Sequence, residues 1–214
     1  MKPFLLTIGD RNLSSWSLRA WLAVVISGAR FEEEVVRLDR PESRVKLAGR
    51  SPTVQVPVLR HGEIVVWDSL AICEYMADLH PEAHLWPEDV HRRACARAAS
   101  AEMHSGFAAL RRELPMNIAK RAASPSLSVE ASADLARIIE LLTECRTRYA
   151  GSGPYLFGSF SIADCMYAPV MTRFTTYGIA LPEVLDCYRT MLYARPAMQR
   201  WIAAAAEEAR EAVG

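Results

Sequence analysis

Strand signals in this chain are confined to its first seventy residues, and this uneven distribution most limits the folds that it can adopt. Helical spacing of apolar residues occurs early at residues 16–26 and 70–79, with a polar segment, Pro41–Gly49, between them. The four apolar runs that predict strands are residues 5–8, 31–38, 56–59 and 63–66. His61-Gly62 joins the last two runs as a hairpin turn. The predicted order is β-α-β-α-β-β-α, an α/β unit with a parallel pair and an antiparallel edge.

No strand pattern follows residue 88, which predicts an all-α second part of about five helices. An Ala-rich segment from Val90 to Lys120 has the helical period, and a kink is expected at Pro115. Further helices are expected to begin at Ser124-Pro125, Ser161, Pro182 and Pro196. The predicted divisions are a first domain of residues 1–80, a linker of residues 81–87 and a second domain of residues 88–214.

Charge and composition exclude several classes of protein. The chain has 214 residues, of which 51% are hydrophobic, enough for a buried core and too many for a disordered chain. Its 25 basic residues equal its 25 acidic residues, so neither a nucleic-acid partner nor a membrane partner is indicated. The start of the chain lacks a signal-peptide pattern. Five dispersed cysteines, without a CxxC pair or a cluster with histidine, predict a cytoplasmic protein without a metal site.

Three serines, Ser14, Ser15 and Ser17, stand between the first strand and the first helix. Hydroxyls at a helix start lie beside unpaired backbone N–H groups and the positive end of the helix dipole, where a thiolate is stabilised. Serine is also a preferred N-cap, so helix capping is the alternative. Dithiol exchange is excluded at this position because it contains no cysteine.

Two further motifs in the α/β unit suit ligand binding. Val56-Pro57 starts a strand, where proline is tolerated on an edge or where its peptide is cis and faces something other than a strand. Asp68-Ser69 starts a helix; it forms either an N-cap pair or a site for a ligand's ammonium and carboxylate groups. Ser161-Ile162-Ala163-Asp164, by contrast, is interpreted as a capping box that serves folding.

Taken together, these features resemble the cytosolic glutathione S-transferase family over essentially the whole chain. They are the element order, Val-Pro before the hairpin, Asp-Ser-Leu-Ala-Ile and Ser-Ile-Ala-Asp. The resemblance implies a thioredoxin-like N-terminal domain, an all-helical C-terminal domain and a homodimer. It implies glutathione as co-substrate, a cis peptide at Pro57, and Val56 pairing with the cysteinyl part. The residues assigned to glutathione are Gln55, Val56, Pro57, Asp68 and Ser69.

The serine cluster is most similar to the zeta class, whose pattern is Ser-Ser-Cys-x-Trp-Arg. Ser14, Ser15 and Arg19 match, but Trp16 replaces the cysteine that belongs to the active site of the zeta isomerases. We therefore expect a glutathione transferase in which Ser14 donates a hydrogen bond to the thiolate, with Ser15 and Ser17 as alternatives. A peroxidase, a zeta-type isomerase and a non-catalytic binding protein are the other hypotheses.

A pocket for a small electrophile is expected beside the glutathione site. Its candidate residues are Trp16, Met103, His104, Phe107 and Arg173. Met103 and Phe107 share a helix face, which also suits core packing, and His104 alone on a helix also suits a structural role. Arg111 and Arg112 can reach a ligand carboxylate, although exposed helix charges are usually solvated.

Overall fold

A four-stranded mixed sheet forms the first part of the computed structural model, which describes residues 3–38, 40–123 and 125–211. The strands are β1 (Phe4–Ile8), β2 (Phe31–Val35), β3 (Val58–His61) and β4 (Ile64–Trp67). Their order in the sheet is β2-β1-β3-β4. β1 and β2 are parallel, whereas β1–β3 and β3–β4 are antiparallel. The predicted element order is confirmed.

Three helices complete this α/β unit: α1 (Ser15–Ile26), α2 (Ser43–Ala48) and α3 (Ser69–Leu79). α1 and α3 pack against one another through apolar side chains such as Leu18, Leu22 and Ile72, which are all fully buried. β3 begins at Val58, two residues later than predicted, directly after the Val56-Pro57 peptide, which is cis. Pro57 cannot donate a ladder hydrogen bond, so pairing starts after it.

The rest of the described chain is helical. Its helices are α4 (Val90–Ser105), α5 (Ala108–Glu113), α6 (Val129–Tyr149), α7 (Ile162–Thr176), α8 (Glu183–Tyr193) and α9 (Pro196–Glu211). Short 3-10 turns occupy Pro81–Ala83 and Ala150–Ser152. An all-α second part is therefore confirmed, with one helix more than the five predicted.

The extra helix arises because Val90–Lys120 is not continuous. The chain breaks at Gly106-Phe107, where Phe107 is left-handed with φ +59° and a Cβ on Gly106 would lie 2.8 Å from the Glu102 carbonyl oxygen. The prediction of a kink at Pro115 is wrong: α5 ends before it. A residue that precedes proline is disfavoured in the helical conformation, and Leu114 has left it, with φ −116° and ψ 67°.

The start of α6 also differs from the prediction. Ser128 is its N-cap, and the Ser128 hydroxyl accepts a hydrogen bond from the backbone N–H of Ala131 at 3.1 Å. The predicted start at Ser124-Pro125 is therefore four residues early, and Ser124 itself lies outside the described residues. Pro182 is the N-cap of α8, and Pro196 is the first residue of α9.

Helix α7 is the centre of the second part, and it is buried along almost its whole length. The capping box at its start is confirmed: the Asp164 carboxylate accepts from the Ser161 backbone N–H at 2.8 Å and from the Leu156 backbone N–H at 3.1 Å. The Ile162 N–H donates to the Leu85 carbonyl oxygen at 2.9 Å. This bond ties the start of α7 to the segment that connects the two parts of the fold.

Helix α9 reaches back to the loop that precedes α1. The Trp201 indole N–H donates to the Arg11 carbonyl oxygen at 2.9 Å. The Glu208 carboxylate accepts from the backbone N–H groups of Arg11 and Asn12, at 2.6 and 3.3 Å. The loop that ends at Ser14 is thus held from the helical part of the molecule.

Candidate active site

A cleft of about 980 Å³ lies where the starts of α1, β3 and α3 meet the helical part of the molecule. Nearly all the residues predicted for glutathione and the thiolate line this one cleft. The predicted residues found there are Ser14, Ser15, Trp16, Gln55, Val56, Pro57, Asp68, Ser69 and Arg173. The fold therefore brings residues that are far apart in the sequence to one surface. This surface consists of the N-termini of α1 and α3 beside the backbone of the Val56-Pro57 segment.

Ser14 is the N-cap of α1. Its hydroxyl accepts a hydrogen bond from the Ser17 backbone N–H at 3.3 Å and donates one to the Ser17 hydroxyl oxygen at 2.8 Å. The Ser17 hydroxyl oxygen also accepts from the Gly9 N–H at 3.0 Å. The capping interpretation therefore holds for Ser14, which still lines the cleft with 6% of its surface exposed.

Ser15 is the first residue of α1 and is exposed to the same extent. Its hydroxyl oxygen accepts a hydrogen bond from Nη2 of Arg173 at 3.2 Å. Arg173 is buried on α7 and also donates to the carbonyl oxygens of Leu114 and Pro169, at 2.9 and 3.1 Å. The first turn of α1 is thereby joined to the core of the helical part.

The Val56-Pro57 segment forms one wall of the cleft. Val54, just before it, has a positive φ of +56°, which turns the backbone towards the cleft edge. Among the described residues, none forms a hydrogen bond with the backbone N–H or C=O of Val56. Both groups are therefore open to a peptide-like ligand.

Asp68 and Ser69 form the opposite end. Asp68, with φ +76°, caps α3 by accepting from the N–H groups of Leu70 and Ala71 at 2.8 and 3.2 Å. Its other carboxylate oxygen lies 3.0 Å from Nε2 of His104. The Ser69 hydroxyl is buried and has no hydrogen-bond partner among the described residues. A buried hydroxyl without a partner at a helix N-terminus is suited to a ligand carboxylate.

Trp16 lies in the cleft and not in the core. The Arg19 guanidinium stacks 4.3 Å from the centre of its ring and that of Arg111 lies 5.4 Å from it, while the His104 ring meets its edge at 5.3 Å. A tryptophan face attracts cations through its quadrupole. Trp16 thus gathers positively charged side chains at one end of the cleft.

The arginines at this end have little counter-charge. Arg19 is completely buried, and none of its three guanidinium nitrogens has a hydrogen-bond partner within the described chain. Burial, together with the charges of Arg173 and Arg111, lowers the pKa of Arg19 to about 9. Burial, together with the Arg111 charge, lowers the pKa of Arg173 to about 10. A site that holds several cations so close together is suited to an anionic group.

Sequence reasoning named Arg111 as able to reach a ligand carboxylate but favoured a solvated helix charge, and left it out of the candidate pocket residues. Arg111 lies on α5, directly after the break at Gly106-Phe107; it lines the cleft, and its Nη1 donates to the Met103 carbonyl oxygen at 3.2 Å. A glycine inside the helical pattern was the one signal of this break. Arg112, in contrast, is exposed.

Four predicted residues are not among those that line the described cleft. Ser17 is completely buried behind Ser14, because the residue three positions after an N-cap faces back under the cap. Met103 and Phe107 are in the hydrophobic core, as the core-packing alternative held. His104 is at the rim, where it contacts Asp68 and Trp16.

Two family models match the chain. The model described as glutathione S-transferase, N-terminal domain, matches residues 13–79, and the one described as glutathione S-transferase, C-terminal domain, matches residues 89–207. The chain belongs to the glutathione S-transferase family. As a glutathione S-transferase it is an enzyme that uses glutathione, and its fold is a thioredoxin-like domain followed by a helical domain.

Individual relatives agree. Glutathione S-transferase 1 of Dianthus caryophyllus is 30% identical over 176 residues, which are 80% of this transferase and 79% of that protein. The probable maleylacetoacetate isomerase of Caenorhabditis elegans is 35% identical over 97 residues, 45% of this chain and 44% of that one. The crystal structure of the theta class glutathione S-transferase from Xanthomonas axonopodis pv. citri, with glutathione bound, is 28% identical with a TM-score of 0.67, covering 94% and 98% of the two chains.

Other chemistry in the described part of the transferase is limited. No group of three or more His, Cys, Asp or Glu side chains that could hold a metal ion occurs among these residues. All five cysteines are free thiols, and burial raises the pKa of Cys73, Cys145 and Cys165 far above the usual range. None of the described helices is long and apolar enough to cross a membrane.

Proposed function

We propose that this transferase ionises the thiol of glutathione at the start of α1 and transfers the thiolate to a small electrophile that carries a carboxylate. The observation that carries the proposal is the single cleft in which the serines of α1, the open Val56 backbone and the Asp68-Ser69 pair meet a group of arginines. The first three features suit a peptide with free ends and a thiol, and the arginines suit an acid.

The N-termini of α3 and α1 together orient glutathione in the cleft. Its γ-glutamyl carboxylate is placed against the Ser69 hydroxyl and the start of α3, and the neighbouring ammonium against the Asp68 carboxylate. The Val56 N–H and C=O pair with the cysteinyl backbone. This arrangement brings the thiol to the N-terminus of α1, where a serine hydroxyl donates to the sulfur and the helix dipole stabilises its charge.

The reaction then needs no further co-reactant. The thiol proton leaves to solvent, and the thiolate sulfur forms a bond to the electrophilic carbon. A leaving group departs with its electron pair, or, in an addition, the carbon next to the new bond takes a proton. The serine hydroxyl stays protonated throughout and acts as a hydrogen-bond donor to the thiolate.

The carboxylate of the electrophile is placed beside Arg111 and Trp16. Buried cations without a counter-ion destabilise a fold by several kcal/mol, roughly, because water is removed from them. A bound carboxylate next to Arg111 and Arg173, which both line the cleft, offsets part of that cost, whereas a neutral electrophile does not. The cleft should therefore favour acids over neutral analogues of the same reactivity.

Two measurements test the two parts of the proposal, which are the use of glutathione and the preference for an acidic electrophile. Glutathione binding is measured by calorimetry, and turnover is compared between a chlorodinitrobenzene and the chlorodinitrobenzoate that carries one added carboxylate. We expect a higher kcat/KM for the acid, and Arg111→Met should remove this preference. Absence of glutathione binding would overturn the whole proposal, and equal turnover of both compounds would overturn the acidic electrophile alone.

A zeta-type isomerase is the second candidate, favoured by the sequence similarity to a probable maleylacetoacetate isomerase and by the same arginines. Trp16 stands where the zeta pattern has its cysteine, which counts against it. Isomerisation of maleylacetoacetate with catalytic glutathione decides the matter, with Trp16→Cys as the comparison variant. Turnover of hydroperoxides alone would indicate the peroxidase, and binding without any turnover would indicate a non-catalytic protein.

Three further properties are proposed from the family. They are a homodimer, a cytoplasmic location, and a domain division at a linker of residues 81–87. The family-model matches, residues 13–79 and 89–207, support the division. Light scattering for the dimer and limited proteolysis for the linker are the corresponding measurements.

A further inference from the structure

Two serines line the cleft, but their hydroxyls are engaged differently. The Ser14 hydroxyl accepts from the Ser17 N–H and donates to the Ser17 hydroxyl oxygen, which in turn accepts from the Gly9 N–H. This chain of hydrogen bonds joins β1 to the first turn of α1 and uses the proton of Ser14. Turning that proton towards a sulfur atom would break the hydrogen bond to the Ser17 hydroxyl oxygen and interrupt this chain.

The Ser15 hydroxyl is engaged only as an acceptor. Its oxygen accepts from Nη2 of Arg173 at 3.2 Å, and no acceptor for its proton occurs among the described residues. Ser15 is among the residues that line the cleft. Of the two serines that line the cleft, only Ser15 therefore has a hydroxyl proton without an acceptor among the described residues, and Ser17 is completely buried.

Arg173 is built to hold that oxygen in place. Its Nε donates to the Leu114 carbonyl oxygen at 2.9 Å and its Nη1 to the Pro169 carbonyl oxygen at 3.1 Å, so the guanidinium plane is fixed on both sides. It is buried on α7 at the centre of the helical part. A cation that donates to a hydroxyl oxygen also strengthens the hydroxyl as a donor, because successive hydrogen bonds polarise one another.

We propose that Ser15, and not Ser14, donates the hydrogen bond to the glutathione sulfur, and that Arg173 is the positioning residue that orients the Ser15 hydroxyl. The proposal rests on the proposed function, since it concerns the thiolate of the same bound glutathione. Ser14 serves as the cap that fixes the first turn of α1. Of the two adjacent serines, Ser14 thus has a structural role and Ser15 a catalytic one.

The test is an ultraviolet titration of the thiolate in the complex of the enzyme with glutathione. Ser15→Ala should raise the pKa of the bound thiol by about one unit or more, the size expected for losing a hydrogen bond to a charged acceptor. Ser15→Thr, which keeps the hydroxyl, should restore most of the shift. Ser14→Gly removes the other hydroxyl while glycine still tolerates the cap, so the bound thiol should titrate as in the wild type.

Arg173 is tested through its dependence on Ser15. Arg173→Met should raise the pKa of the bound thiol in the wild-type background and leave it unchanged in the Ser15→Ala background. An equal rise in both backgrounds would show that Arg173 acts on the sulfur by its charge alone, which overturns the positioning role. Circular dichroism and the denaturant midpoint verify folding, and if Arg173→Met does not fold, the comparison of Ser14 with Ser15 still decides which hydroxyl acts.

The outcomes separate this inference from the proposed function. If the wild-type complex has a thiol pKa equal to that of free glutathione, or if glutathione does not bind, the proposed function fails. If the thiol pKa is lowered in the wild type, unchanged by Ser15→Ala and raised by Ser14→Gly, only the assignment of Ser15 fails.

Discussion

The carboxyl group of Asp164 offers the sharpest test of the energetics of this fold. It is completely buried at the start of α7 and accepts from the backbone N–H groups of Leu156 and Ser161, one on each oxygen. Asp164→Asn keeps the size of the side chain but leaves one acceptor oxygen for three buried donors, which are these two N–H groups and the Ser161 hydroxyl. The loss of one buried hydrogen bond to a charged group costs about 2–3 kcal/mol, so we expect the free energy of unfolding to fall by about that amount near neutral pH.

The pH dependence of this difference gives a second, independent result. Burial raises the pKa of Asp164 to about 6, from an ordinary value of 3.8. A carboxyl whose pKa is raised in the folded state contributes stability that is complete below the ordinary value and is lost as the pH rises through about 6. The difference in the free energy of unfolding between the wild type and a variant that cannot titrate there should therefore be about 1 kcal/mol larger at about pH 5 than at about pH 7.5.

The assay is urea unfolding of both chains at the two pH values, at one fixed protein concentration. The matched control is Asp89→Asn, at the N-cap of α4, where the carboxylate accepts from the Arg92 N–H at 2.7 Å on the surface. Asparagine caps a helix about as well as aspartate, so this variant should lose less than about 0.5 kcal/mol. The reasoning is refuted if Asp164→Asn costs no more than the control, or if its cost becomes smaller at the lower pH.

Three further changes test the site and the breaks in the helices. Asp68→Asn retains the cap of α3 but removes the charge that faces the ammonium of glutathione, so calorimetry should show about tenfold weaker binding; unchanged affinity would contradict this role. Gly106→Ala forces a Cβ to within 2.8 Å of a carbonyl oxygen and should cost about 1–3 kcal/mol in urea unfolding, whereas Gly151→Ala, with nothing within 4 Å, should cost little; equal effects would rule out the contact as the cause. Glu208→Gln removes a charged acceptor from the loop before α1 and should lower stability by about 1–3 kcal/mol and slow turnover together; a stability loss with unchanged kcat would show that the loop keeps its position without it.

The order of secondary structure was predictable because each element carries its own local signal. Alternating and continuous apolar runs mark the strands, and Ser161 and Asp164 mark the start of α7 because they have the spacing of a capping box. The cis peptide at Pro57 and the meeting of Asp68-Ser69 with the serines came from the family resemblance and not from any local pattern. The structure places these residues in one cleft.

What could not be predicted depends on contacts between distant segments. The division between Ser14 and Ser15 follows from Arg173, which lies 158 residues from Ser15 in the sequence. Arg111 resembles any solvated helix charge in the sequence, and only the folded structure shows that it lines the cleft. Trp16 occupies a position that suits either the core or a pocket, and only the folded structure, in which Trp16 lines the cleft with two guanidinium groups near its ring, decides in favour of the cleft.

The hydrogen bond between α9 and the loop before α1 affects when the enzyme can become active during its synthesis. Glu208 lies 197 residues after Arg11 in the sequence. Its carboxylate accepts a hydrogen bond from the Arg11 backbone N–H. A ribosome that adds 5–20 residues per second needs roughly 10–40 s to cover that distance. The α/β unit can form its sheet during this interval, but the segment that presents the serines gains its final support only when α9 has emerged. The nascent chain should therefore stay inactive until α9 has been made, because this helix completes the support of parts of the active site that were made much earlier.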